Sequence, residues 1–230
     1  MSRFLLPLAL FLAAGIPLTG DSATTRLVKL LESRYAASKS IRAVFEERYF
    51  ENGRLIRAES GTVRFQRPGK MRWEYKVPES KIFLSDGRTI WLYIPADRTA
   101  MRSSVEESPD WRTPFALLTR SPRLSRLCES VVPGEKNEAA AGNQVLHCRL
   151  RGASRKAAAE DEILLELSSQ SGELSRVKIM QSGGTGIEFS FAGWQEDSKL
   201  NDSSFRFAPP PGVAIVNAPI TEFRAESPVR

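Results

Sequence analysis

The sequence predicts an α+β protein dominated by antiparallel sheet, and three observations predict it. Apolar and polar residues alternate over many short segments, glycine-bearing turn dipeptides separate those segments, and helical spacing is confined to the N-terminal side and one mid-chain interruption. With 230 residues, 41% hydrophobic and 26% charged, the chain can bury a core and is too mixed in composition for disorder.

Arg3 precedes an apolar run from Phe4 to Leu18, and small and polar residues follow, which is the layout of a secretory signal peptide over residues 1–20. The run contains Pro7, Gly15 and Pro17 and is shorter than the ~20 residues that cross a bilayer. A mature chain starting within Thr19–Thr24 is expected to be exported and soluble. One domain is expected over residues 24–218, with a frayed tail over 219–230.

From Thr24 to Ser40, Leu27, Leu30, Leu31 and Tyr35 recur at helical spacing with Lys29, Glu32 and Arg34 between them. This predicts an amphipathic helix. The period then becomes two: Met71, Trp73, Tyr75 and Val77 alternate with Arg72, Glu74 and Lys76. The same alternation runs through Val63 and Phe65; Ile163, Leu165 and Leu167; Val177 and Ile179; Ile187, Phe189 and Phe191; and Phe205 and Phe207. Asn52-Gly53, Pro68-Gly69, Asp86-Gly87 and Ser171-Gly172 mark hairpin turns, so the strands read as a meander. Between Ser108 and Leu127, Pro109, Pro114 and Pro122 stand near possible helix starts, which predicts one or two short helices inserted mid-sheet. Residues 154–161 read as an exposed hairpin loop, with a short helix as the alternative.

The 33 basic against 27 acidic side chains are scattered, and an export signal argues against nucleic acid as a partner. Cys128 and Cys148 are the only cysteines; an exported even pair is expected to form a disulfide, stabilising the fold by roughly 3 kcal/mol. They match neither a redox CxxC nor a metal site.

Catalytic signatures are missing. The lone His147 beside Cys148 reads as structural, and there is no phosphate loop, dinucleotide fingerprint or HExxH. Glu46–Glu47 and Glu106–Glu107 read as solvated surface. No enzyme activity, metal or cofactor is expected.

The block from Gly61 to Pro95 carries Arg67-Pro68, Trp73, Pro78, Asp86-Gly87 and Trp91-Leu92-Tyr93 in order. Thr113-Pro114-Phe115 follows, and Phe205-Arg206-Phe207-Ala208-Pro209-Pro210-Pro211-Gly212-Val213 comes near the end. This series resembles the periplasmic outer-membrane lipoprotein carrier family (LolA). Residues 128–161 match that pattern less.

The resemblance implies a strongly curved antiparallel sheet forming an incomplete β-barrel, with an apolar cavity closed by the N-terminal helix and the short mid-chain helices. One-sided strands with few helical residues to fill them are consistent with a cavity. Its expected lining is Val63, Phe65, Met71, Trp73, Tyr75, Ile82, Leu84, Ile90 and Leu92, with Phe115 and Leu118 on the lid. The resemblance implies that Arg67 bonds to the lid and holds the empty cavity closed. It further implies a monomeric periplasmic carrier. Such a carrier binds the acyl chains of lipoproteins, takes them from an inner-membrane transporter and passes them to an outer-membrane receptor. The alternatives are a lipid-sensing regulator, which usually carries a further domain, and a carrier of a non-protein lipid.

Overall fold

The computed structural model describes residues 20–106, 115–120, 123–151, 162–180, 184–196 and 200–220. The expected signal segment up to residue 19, Thr113-Pro114, the 154–161 loop and the tail beyond Ile220 lie outside the described residues.

Helix α1, Gly20–Ala37, buries Leu27, Leu31 and Tyr35, which stand four residues apart on one stripe. Then come β1 (Ser40–Glu51), β2 (Arg54–Gln66), β3 (Lys70–Val77), β4 (Lys81–Asp86), β5 (Thr89–Ile94) and β6 (Thr99–Ser104). Two single-turn helices follow, α2 (Ala116–Thr119) and α3 (Leu124–Leu127). The chain continues through β7 (Cys128–Pro133), β8 (Asn143–Leu150), β9 (Glu162–Ser168), β10 (Leu174–Met180), β11 (Thr185–Glu196) and β12 (Ala214–Asn217).

These strands form one sheet of 12 in the order β12-β6-β5-β4-β3-β2-β1-β11-β10-β9-β8-β7. Two meanders, β1–β6 and β7–β11, are zipped together by the long β1–β11 pair. The sheet curves strongly without closing: β12 and β7 are its two edges. Asn52 and Gly53 both take positive φ, 48° and 76°, the two-residue turn whose twist suits a hairpin.

Three details differ from the sequence-based expectation. Phe205 and Phe207 are not in a strand: Asn201 caps a 3-10 turn, Asp202–Phe205, through its side chain. That segment crosses the outer face of the sheet, where Lys70 Nζ reaches Asp202 at 2.7 Å and Phe207 packs 5.2 Å from both Trp91 and Tyr93. Alternation of two phenylalanines here reflects one ring buried in a turn and one lying on the sheet surface. Second, β12 pairs parallel with β6, an exception to the antiparallel pattern that shields the β6 edge. Third, order extends past Ala218: Ile220 is 1% exposed and joins the core, because β12 anchors the chain immediately before it.

Candidate functional site

The inner face of the sheet can be read in rows, because directly paired residues share a face. The first row, at the end of the sheet where Arg67 meets the last turn of α1, contains Ile41, Phe65, Met71, Ser85 and Ile90. The next contains Ala43, Val63, Trp73, Phe83 and Leu92. The third contains Phe45, Gly61, Tyr75 and Lys81, and the fourth pairs Glu47 with Glu59. Polarity therefore rises along the interior, from an apolar end near the last turn of α1 to a charged end near the β1–β2 turn.

Val63, Phe65, Met71, Trp73, Tyr75, Ile90 and Leu92 all belong to this buried interior. Ile82 and Leu84 do not. They pair with Glu74 and Arg72 on the opposite face, and the interior position on β4 belongs to Phe83. Ile82, Phe83 and Leu84 are three consecutive apolar residues, so alternation alone does not choose the inward one. The outer face is covered here by the Asp202–Phe205 turn, which explains why Leu84 is fully buried on that side.

Phe115 sits among the interior rings. Its centroid lies 4.8 Å from Trp73, 5.1 Å from Phe189, 6.0 Å from Phe65 and 6.2 Å from Phe191. Leu118, one turn on, is 2% exposed. Among the described residues, two bonds tie this segment to the turn before β3 and to α1. Gly69 N donates to Thr119 O at 2.7 Å, and Leu124 N donates to Glu32 Oε1 of α1 at 2.8 Å.

Arg67 follows β2 and reaches α1. Its guanidinium donates to the carbonyl oxygens of Tyr35 and, at 3.3 Å, Ala36. Those carbonyls end the helix and lack partners within it, and a cation suits the negative end of its dipole. Burial pulls the Arg67 pKa below its ordinary value. Among the described residues, Arg67 thus bonds to α1, while its neighbour Gly69 ties down the mid-chain helix. The single turn Arg67-Pro68-Gly69 clamps both covers of the interior.

The charged end departs from the expectation of a solvated Glu47. Glu47 is 2% exposed and accepts from Tyr75 Oη at 2.5 Å. Lys81 Nζ donates to Glu59 Oε2 at 2.6 Å and lies 4.2 Å from the Tyr75 ring centre; Arg57 Nε stands 3.0 Å from the same Glu59 oxygen. Burial raises the Glu47 pKa, against the pull of Lys81 and the Tyr75 hydroxyl. Parity with Ile41, Ala43 and Phe45 is the signal in the sequence that Glu47 points inward.

Cys128 and Cys148 are joined by a disulfide that fastens edge strand β7 to β8, with Cα atoms 5.5 Å apart. His147 lies between Glu138 at 3.0 Å and Glu162 at 3.2 Å, at the surface of β8. No group of three or more His, Cys, Asp or Glu among the described residues could hold a metal ion. No helix among them is long and apolar enough to cross a membrane.

The model of the family described as outer membrane lipoprotein carrier protein LolA matches residues 36–208. The chain belongs to this family. The LolA match takes in Arg67, the interior rows, Phe115 and the Asp202–Phe205 turn, while most of α1 precedes it. The outer-membrane lipoprotein carrier protein of Chromobacterium violaceum is 24% identical over 90% of this chain and 93% of its own. That of Nitrosospira multiformis is 26% identical over 81% of this chain and 86% of its own. A solved structure of an uncharacterized conserved protein from Thermus thermophilus shares the fold, with a TM-score of 0.52 at 12% identity over 84% of this chain and 98% of that one.

Proposed function

We propose that this LolA-family chain is a soluble periplasmic carrier that shelters the acyl chains of lipoproteins inside the half-barrel and moves them from the inner to the outer membrane. One observation carries the reading: Phe115 and Leu118, on and beside a single-turn helix, are buried among the interior rings between the sheet and its helical cover. Such a plug can be exchanged for cargo.

The magnitudes favour the exchange. Moving Phe115 and Leu118 into water costs about 2–3 kcal/mol each. Withdrawing one sixteen-carbon chain from water gains roughly 12 kcal/mol at about 0.8 kcal/mol per methylene. Cargo therefore displaces the plug, and the plug's return favours handing the cargo to a membrane or receptor that buries it better. The first 20 residues direct export and are removed, cargo arrives from an inner-membrane transporter, and an outer-membrane receptor accepts it. The carrier acts as a monomer, without catalysis or cofactor.

Native mass spectrometry of the mature protein from a periplasmic extract tests this reading. The expected result is added mass that organic extraction removes and that fragments to an acylated peptide. A free lipid would shift the cargo to a non-protein lipid. A bare protein that also ignores added lipoprotein would overturn the carrier role.

A further inference from the structure

Two indoles face the interior. Trp194, half-buried, donates its Nε1 hydrogen to Leu174 O at 2.7 Å. Trp73 is 1% exposed, and its Nε1 meets no acceptor among the described residues. A buried donor left without a partner needs an explanation.

Other buried polar atoms without partners do not compete for the same role. Thr62 and Gln66 stand on the outward parity of β2, since Val63 and Phe65 point in. The Nε atoms of Arg34 and Arg67 belong to guanidinium groups already bonded through terminal nitrogens, Arg34 to Glu173 and Glu196 and Arg67 to the end of α1. The polar groups of the third and fourth rows are engaged with one another, Tyr75 with Glu47 and Lys81 with Glu59. Among the described residues, Trp73 alone presents an unused donor to the interior.

Its place is distinctive. Trp73 occupies the second row, between apolar Phe65, Met71 and Ile90 on one side and the Tyr75–Glu47 cluster on the other. Its nearest rings include Phe115, at 4.8 Å, which the proposed cargo displaces. A ligand whose hydrocarbon runs toward α1 and whose polar head turns toward Tyr75 brings its first polar atoms to this row.

We propose that Trp73 Nε1–H is the hydrogen-bond donor for a carbonyl oxygen of the cargo's acyl linkage. The interior then prefers chains attached through an ester or amide to chains attached through an ether. The proposal rests on the carrier reading and adds to it an orientation and a linkage preference.

The test uses two synthetic lipopeptides without an N-acyl group, one with two ester-linked chains and one with the same chains on ethers. Each is titrated into the mature protein and into Trp73→Phe, with thermal melts to verify folding. The wild type should bind the ester form about fivefold more tightly, the ratio expected of one net hydrogen bond, and Trp73→Phe should bind both alike. Should the variant fail to fold, the wild-type Trp73 indole ¹H–¹⁵N resonance supplies the readout, moving downfield with the ester probe and not with the ether. Equal affinities in the wild type, or an equal loss for both probes in the variant, would overturn the donor role and leave the carrier reading standing. Binding of neither probe by the wild type would overturn both.

Discussion

Arg67 is a cation at the end of a strand whose preceding inward residues, Val63 and Phe65, are fully buried, and its charge is met by the last carbonyls of α1. Those bonds exist only while α1 covers the interior, so they stabilise the closed state. Charge-assisted bonds contribute about 1.5–3 kcal/mol each. Arg67→Leu should therefore fold normally yet release bound lipopeptide to acceptor vesicles at least tenfold more slowly; release at the wild-type rate contradicts a closing role. Glu47 gives a second test. Its carboxyl, raised by burial, keeps a proton in the folded chain at a pH where the unfolded chain has lost it. Stability from this group is present below the unfolded value, near ~4.3, and declines as pH rises through the folded one. Glu47→Gln should flatten that decline in melting temperature on the alkaline side of the unfolded value, and an unchanged slope would contradict a raised Glu47 carboxyl.

Among the elements, α2 and α3 are single turns, and β7 is one of the two edge strands of the sheet. The Cys128–Cys148 bond holds β7 to β8 across a separation of 20 residues. Replacing both cysteines with serine should lower unfolding free energy by about 3 kcal/mol, read from the urea midpoint, and reductant should no longer affect the protein. A midpoint equal to that of the oxidised wild type would mean that the β7 edge is held by other contacts. The elements also show what the sequence makes legible. The α1 stripe and the β3 alternation are unambiguous, because each shows one period, of three to four residues in α1 and of two in β3. On β4 the apolar run Ile82-Phe83-Leu84 has no polar phase, and its inward residue is set by pairing with Trp73, information that sits on another strand. Phe205 and Phe207 mimic a strand for a related reason: a segment lying on a sheet shows apolar spacing without joining the ladder. Glu47 escapes a reading by composition because two adjacent glutamates look solvated until β1 is recognised as a strand with one buried face.

For the molecule as a whole, twelve strands curve around an interior that is apolar near the last turn of α1 and charged at the far end, and the sheet does not close. That shape is legible through a family resemblance built on ordered short motifs; the pairing of β12 with β6 is not, since four residues after a proline run carry little pattern. The central claim is that acyl cargo takes the place of Phe115. It is tested most directly by spin labels on Arg120→Cys, at the exposed end of α2, and on Ala192→Cys, exposed on β11. Their separation is measured by pulsed electron paramagnetic resonance with and without a triacylated lipopeptide. The account predicts that saturating lipopeptide lengthens and broadens the distance distribution as α2 leaves the sheet. Saturable binding with an unchanged distribution would contradict it.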